Sequence, residues 1–123
     1  MQTAEQNHQA DEILTAEDAI NQALGEEVVI NGRPARPVEL QEPIKRGEQV
    51  IDKVHVRKPR SGELRGVYME ELLRAKTDEI LKVLPRVTVP PLLKHEVENL
   101  DPYDLVVFGM ALVNFFAPKT EMP

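Results

Sequence analysis

Arg57, Lys58, Arg60 and Arg65 put four cations within nine residues, around a corner built from Pro59 and Gly62. Guanidinium and ammonium groups at this spacing suit phosphate oxygens, carboxylates or helix-end carbonyls. Nucleic acid fits poorly: the chain carries a net charge of −6, aromatics are 4% of it, and none interleaves with these bases to stack on nucleotides. The corner therefore reads as protein-facing or structural, with Arg57 and Arg65 forking onto carbonyls or carboxylates, and no nucleic-acid partner is expected.

The other reactive side chains form no catalytic set. His8, His55 and His95 are far apart, and none has a second ligand at a metal-binding spacing. No Gly-rich phosphate loop, nucleophile elbow or pair of carboxylates in an apolar setting occurs, so no enzyme, cofactor or metal is expected. Asp101 and Asp104 are accounted for as helix-capping groups. The absence of cysteine excludes disulfides and thiolate metal sites and fits a reducing cytosol. The polar start Met1-Gln2-Thr3-Ala4-Glu5-Gln6 lacks the basic and apolar regions of an export signal. Leu105–Ala117, the longest apolar run, is broken by Asn114 and is shorter than the roughly 20 residues that span a bilayer. No membrane partner is expected.

Charge is unevenly distributed. Residues 1–30 hold seven acids (Glu5, Asp11, Glu12, Glu17, Asp18, Glu26, Glu27) and no base. Residues 45–65 hold seven bases against Glu48, Asp52 and Glu63. The acidic lead and the basic centre can attract each other or partners of opposite charge.

The elements that must position these groups follow from punctuation and periodicity. Residues 1–37 read as a loosely ordered extension, with a possible short helix at 16–24 capped by Thr15 and closed by Gly25. Val28-Val29-Ile30 before Asn31-Gly32 resembles a strand entering a tight turn, but Pro34 and Pro37 spoil the return, which leaves an extended linker. Residues 38–44 and 50–57 alternate and flank Lys45-Arg46-Gly47-Glu48, so a hairpin at 38–57 is expected, with Pro43 marking its first strand as an edge. Helices are expected at about 62–75, 78–87, 91–99 and 102–117, and a polar tail at 118–123. Gly66 would sit inside the first helix and mark close packing, Pro85 would end or kink the second near Leu84, and Pro91 would open the third at its first position.

The last helix has the clearest start, with Asp101 as N-cap, Pro102 at the first position and Asp104 reaching back to the cap. Leu105, Phe108, Leu112 and Phe115 share one face, while Val106, Met110, Val113 and Phe116 lie on another. A domain of this size can hardly cover both. Either the helix is central, or the second face is reserved for a partner.

Arg57-Lys58-Pro59, Gly62, Leu64-Arg65-Gly66, Arg86-Val87-Thr88, Leu100-Asp101-Pro102, Asp104 and Phe115-Phe116 together resemble the pattern of the tail assembly chaperones of P2-like and Mu-like contractile-tailed phages. Glu63 stands where that family more often has Asp. The resemblance covers roughly residues 43–117, and the first 37 residues lie outside it. It implies a small non-catalytic protein of the host cytoplasm that binds the long, aggregation-prone tape measure protein, yields it to tail tube subunits, and is absent from the mature virion. It also implies a longer −1 frameshift product. Asn114-Phe115-Phe116 and Ala117-Pro118-Lys119 are the two places near the C-terminus whose codons permit a slippery heptamer.

The expected fold is mainly α (α+β), an N-terminal β-hairpin packed on a small bundle of three to four short helices with the last helix central. The expected contact residues are Val106, Met110, Val113 and Phe116 on that helix, and Arg57, Lys58, Arg60 and Arg65 at the corner. Gly62, Gly66, Pro91, Asp101, Pro102 and Asp104 are expected to be structural. Expected partners are the tape measure protein, the frameshifted longer form, the tail tube protein and a second copy in a homo-oligomer. Two other functions compete: a minor structural tail or baseplate protein retained in the virion, and a small nucleic-acid-binding regulator.

Overall fold

A computed structural model describes Asp18 and residues 22–117. Strands β1 (Val28–Ile30), β2 (Arg33–Arg46), β3 (Gln49–Arg57) and β4 (Thr88–Val89) form one antiparallel sheet in the order β1-β2-β3-β4. After β3 come a 3-10 turn (Ser61–Leu64) and helices α1 (Met69–Leu73) and α2 (Thr77–Val87). Beyond β4 come α3 (Lys94–Glu98) and α4 (Pro102–Phe115).

The mainly helical expectation is overturned by this sheet. β2 runs 14 residues, as long as α4 and longer than any other helix. The turn signal at Asn31-Gly32 is genuine: both residues have positive φ, 50° and 78°, as a two-residue loop between Ile30 and Arg33 requires. Pro34 and Pro37 do not break the return strand, because proline lacks only the donor. Their carbonyls accept from Lys58 N–H and Gly25 N–H, each at 2.8 Å. Residues 28–37 therefore belong to the sheet. Of the helix expected at 16–24, Asp18, Gln22 and Ala23 are helical and Leu24 bridges to Val38. The rest of it, residues 1–17 and the tail at 118–123 lie outside the described residues.

The expected helix at 62–75 is split. Gly66 has φ +75°, which no helix accommodates, and a Cβ built there meets nothing within 4 Å, so this glycine supplies a left-handed turn and not close packing. Pro85 sits inside α2, which runs on to Val87; in the final turn its missing N–H frees few groups. Pro91 lies outside α3, which starts at Lys94 after an extended Leu93. The glycine that marks close packing is Gly109 of α4, where a Cβ would lie 2.8 Å from Ile80 Cδ1.

The core fills the space between the sheet and the helices. Val38, Val54 and Val56 of the sheet, Leu72 of α1, Val83, Leu84 and Val87 of α2, and Phe108 and Leu112 of α4 are sealed from solvent. α4 lies against β2, β3 and α2. Removing this much apolar area from water, at about 25 cal/mol per Å², holds a lone hairpin that would be marginal in isolation.

Candidate docking surfaces

α4 presents two faces. Asp104, Val107, Phe108, Ala111 and Leu112 are buried, so the core seam runs through 104, 108 and 111/112, while Leu105 and Phe115 are half-buried at its margins. On the far side Val106 is 50% exposed. Met110 and Val113 are half-buried along the same stripe, and Phe116, the C-cap, is half-buried beyond them. Four apolar side chains thus sit at helical spacing on a face that no described element fully covers.

Local capping sets this helix in place. The Asp101 carboxylate accepts from Tyr103 N–H at 2.9 Å and Pro102 occupies the first position. Asp104 does something else: it is completely buried and accepts from the backbone N–H groups of Gln41 at 2.7 Å and Glu42 at 3.1 Å. The register between β2 and β3 shifts between Glu39 and Ile44, where β2 carries extra residues. The bulge frees two donors, and Asp104 takes both. The capping role expected for Asp104 is replaced by that of a staple between α4 and the sheet.

The basic corner is organised around Glu63 of the 3-10 turn. Arg33 grips its two oxygens at 2.9 and 3.1 Å, Arg60 N–H donates at 3.0 Å, and Arg57 approaches to 3.9 Å. Burial works against the charge on Glu63, but the Arg60 N–H bond and then the Arg33 guanidinium hold its carboxyl below the usual carboxylate range. Arg57 also donates to the carbonyls of Val87 at 3.3 Å and Arg86 at 3.2 Å, closing the C-terminal end of α2. Arg86 in turn donates to the carbonyls of Glu63 and Arg65, both at 2.8 Å. Lys58, Arg60 and Arg65 have no side-chain partner among the described residues, and Gly62 stands in open space. Spacing along the chain marked the segment 57–65 and the motif at Arg86, but neither Arg33 nor the place of Arg86 in the corner; they come from 24 and 21 residues away in sequence, and only β2 pairing and the α2 terminus bring them in.

Two other buried carboxylates hold loops. Glu79 accepts from Tyr68 N–H at 2.9 Å and from Lys82 at 3.1 Å, and the Tyr68 bond first, then the Lys82 ammonium, lowers its pKa against the effect of burial. Glu96 is held by Arg46 through bonds of 2.9 and 2.6 Å and by Leu93 N–H at 2.9 Å, and Arg46 is the main reason its pKa falls to about 2. Arg46 also donates to the Pro91 carbonyl at 3.0 Å, which ties the hairpin tip to the approach of α3. Asp101, Asp104, Glu63, Glu79 and Glu96 are each held by backbone, arginine or lysine donors, and no group of three or more metal-ligating side chains occurs among the described residues. The arrangement offers an apolar helix face and a cationic corner, both suited to gripping another chain.

A family model described as phage tail assembly chaperone proteins, E, or 41 or 14, matches residues 37–116. Tail assembly protein E of Escherichia phage P2 is 42% identical over 83 residues, which are 68% of this chain and 91% of that protein. Tail assembly protein E′ of the same phage is 44% identical over 82 residues, 67% of this chain, and the match spans only 58% of that longer relative. No solved structure matches the chain.

Proposed function

The chain belongs to the phage tail assembly chaperone family, and from that membership we propose that it binds the tape measure protein and keeps it soluble in the host cytoplasm until tail tube subunits take its place. The observation that carries this reading is the outer face of α4, where Val106, Met110, Val113 and Phe116 leave an apolar stripe only partly covered. A long helical partner shields its own apolar residues by lying along such a stripe. The chaperone leaves with the exchange and is absent from the mature virion. The match to the longer E′ supports a second product that keeps α4 and extends beyond it, with the slip near Asn114–Lys119.

Co-expression with the tape measure protein encoded nearby, followed by a solubility assay and co-purification, tests the reading. Wild-type chain is expected to keep the tape measure protein in the supernatant and to co-purify with it, whereas the Val106→Ser, Met110→Ser double variant stays folded, as its melt shows, and loses the partner. A folded double variant that still retains its partner moves the contact off α4. Recovery of the chain from purified virions would favour a structural tail component instead.

A further inference from the structure

We infer that the notch between the start of β2 and the end of β3 is a docking site for an acidic segment of a partner protein, which sets two carboxylates beside Arg33, Lys58 and Arg60. The contact shares no residue with the stripe of α4 and holds whatever that stripe binds. Arg33, Pro34, Lys58, Pro59 and Arg60 line an open concavity of about 270 Å³. Lys58 N–H donates to the Pro34 carbonyl at 2.8 Å, which ties its two walls together. Both prolines have a locked φ, so the backbone that carries the cations is set before a partner arrives. Arg33 reaches Glu63 through Nη1 alone, at 2.9 and 3.1 Å from its two oxygens. Among the described residues its Nε and Nη2, the Lys58 ammonium and the Arg60 guanidinium have no acceptor. Three lining cations thus stand against the one carboxylate of Glu63, and Arg57, 3.9 Å from that carboxylate, adds to the positive field. The surplus of the lining groups matches two incoming carboxylates.

Size and charge identify the occupant. At about 270 Å³ the notch lies below the range of about 300–1,000 Å³ typical of small-molecule pockets, and its open mouth suits side chains carried in by another chain. Glu63 already displays the bond such a side chain makes, a carboxylate gripped through both oxygens by Arg33. A second carboxylate meets the remaining edge of the same guanidinium, and a third meets Lys58 and Arg60; charge-assisted bonds of this kind are about twice as strong as neutral ones. Nucleic acid is the weaker occupant. No aromatic lines the notch to stack on bases. A chain of net charge −6 also repels a polyanion that must run on past three cations, whereas an acidic protein segment confines its charge to a few residues.

Titration of the ¹⁵N-labelled full chain with capped hexaglutamate, in salt of about 0.1 M where charges beyond about 10 Å are screened, tests the proposal. Binding is expected to shift the backbone amides of Lys58, Arg60 and Ser61 and the Nε–H of Arg33, and capped hexaglutamine should shift none of them. A Lys58→Gln, Arg60→Gln variant should bind hexaglutamate at least about fivefold more weakly, the loss of two exposed charge pairs. Neither side chain has a partner to lose among the described residues, so its melt should match the wild type. Lys45→Gln, Lys94→Gln removes the same charge at the far tip of the hairpin and on α3, and should leave the affinity within about twofold. Equal losses in the two variants, or binding without shifts at the notch, would reduce the effect to net charge and overturn the site. Hexathymidylate bound as tightly as hexaglutamate would make the occupant a nucleic acid. Self-association of the wild type that Lys58→Gln, Arg60→Gln disperses in sedimentation would make it a second copy, and either result overturns the acidic partner.

Discussion

Replacing Asp104 by Ala tests whether this buried carboxylate is a staple or a cap. In the structure it accepts two backbone donors, Gln41 N–H at 2.7 Å and Glu42 N–H at 3.1 Å, across the bulge in β2. Hydrogen bonds to a charged group contribute about 1.5–3 kcal/mol each. Because Gln41 and Glu42 are exposed residues, water recovers part of both bonds in the variant. The expected loss is about 2–4 kcal/mol. Asp101→Ala removes one capping bond at 2.9 Å and should cost about 1 kcal/mol. For a domain near this size each kcal/mol lowers the melting temperature by about 4–8 °C, so the two variants should be well separated in thermal melts and in urea titrations. Amide exchange adds a local reading: Gln41 and Glu42 N–H should exchange faster in Asp104→Ala and unchanged in Asp101→Ala. If Asp104→Ala costs no more than Asp101→Ala, or leaves those two amides protected, the staple does not exist and Asp104 acts only at the helix start.

Three further outcomes follow from the packing and the ion pairs. Leu112→Asp, which puts a charge at a site sealed from solvent, should abolish the cooperative melt, and an unchanged melting temperature would remove this face from the core. Gly109→Ala forces a Cβ to 2.8 Å from Ile80 Cδ1; overpacking costs about 1–3 kcal/mol, against a helix-propensity gain of about 1 kcal/mol, and Ile80→Val, which deletes that methyl, should relieve it, so strictly additive losses in the double variant refute the contact. The Glu96 carboxyl is depressed from 4.5 to about 2 in the folded state, so its stabilisation is full above pH 4.5 and is lost as pH falls toward 2. The stability difference between wild type and Glu96→Gln, measured by urea titration across that window, should accordingly shrink with acid, and a pH-independent difference refutes the Arg46–Glu96 pairing.

Local signals in the chain determined much of what the structure contains. Asp101-Pro102 dictated the start of α4, because an N-cap and a first-turn proline act within three residues. The motifs from Arg57 to Phe116 carried the family, which is shown over residues 37–116. The apolar stripes of α4 were legible from spacing alone, though the core seam lies through 104, 108 and 111/112 and is shifted from the stripe through Leu105 and Phe115.

What escaped the sequence depends on partners remote along the chain. Asn31-Gly32 announced a hairpin, yet Pro34 and Pro37 seemed to forbid it; whether a strand proline is tolerated depends on which neighbour needs its N–H, and here only the carbonyls are used. Asp104 carried a capping signature, but it is the bulge in β2, more than sixty residues earlier, that supplies its donors. Arg33, Glu63 and Arg86 form one cluster only after strand pairing and the end of α2 bring them together. A carboxylate's role is set by the donors within about 3 Å of it, and that proximity is created by tertiary packing.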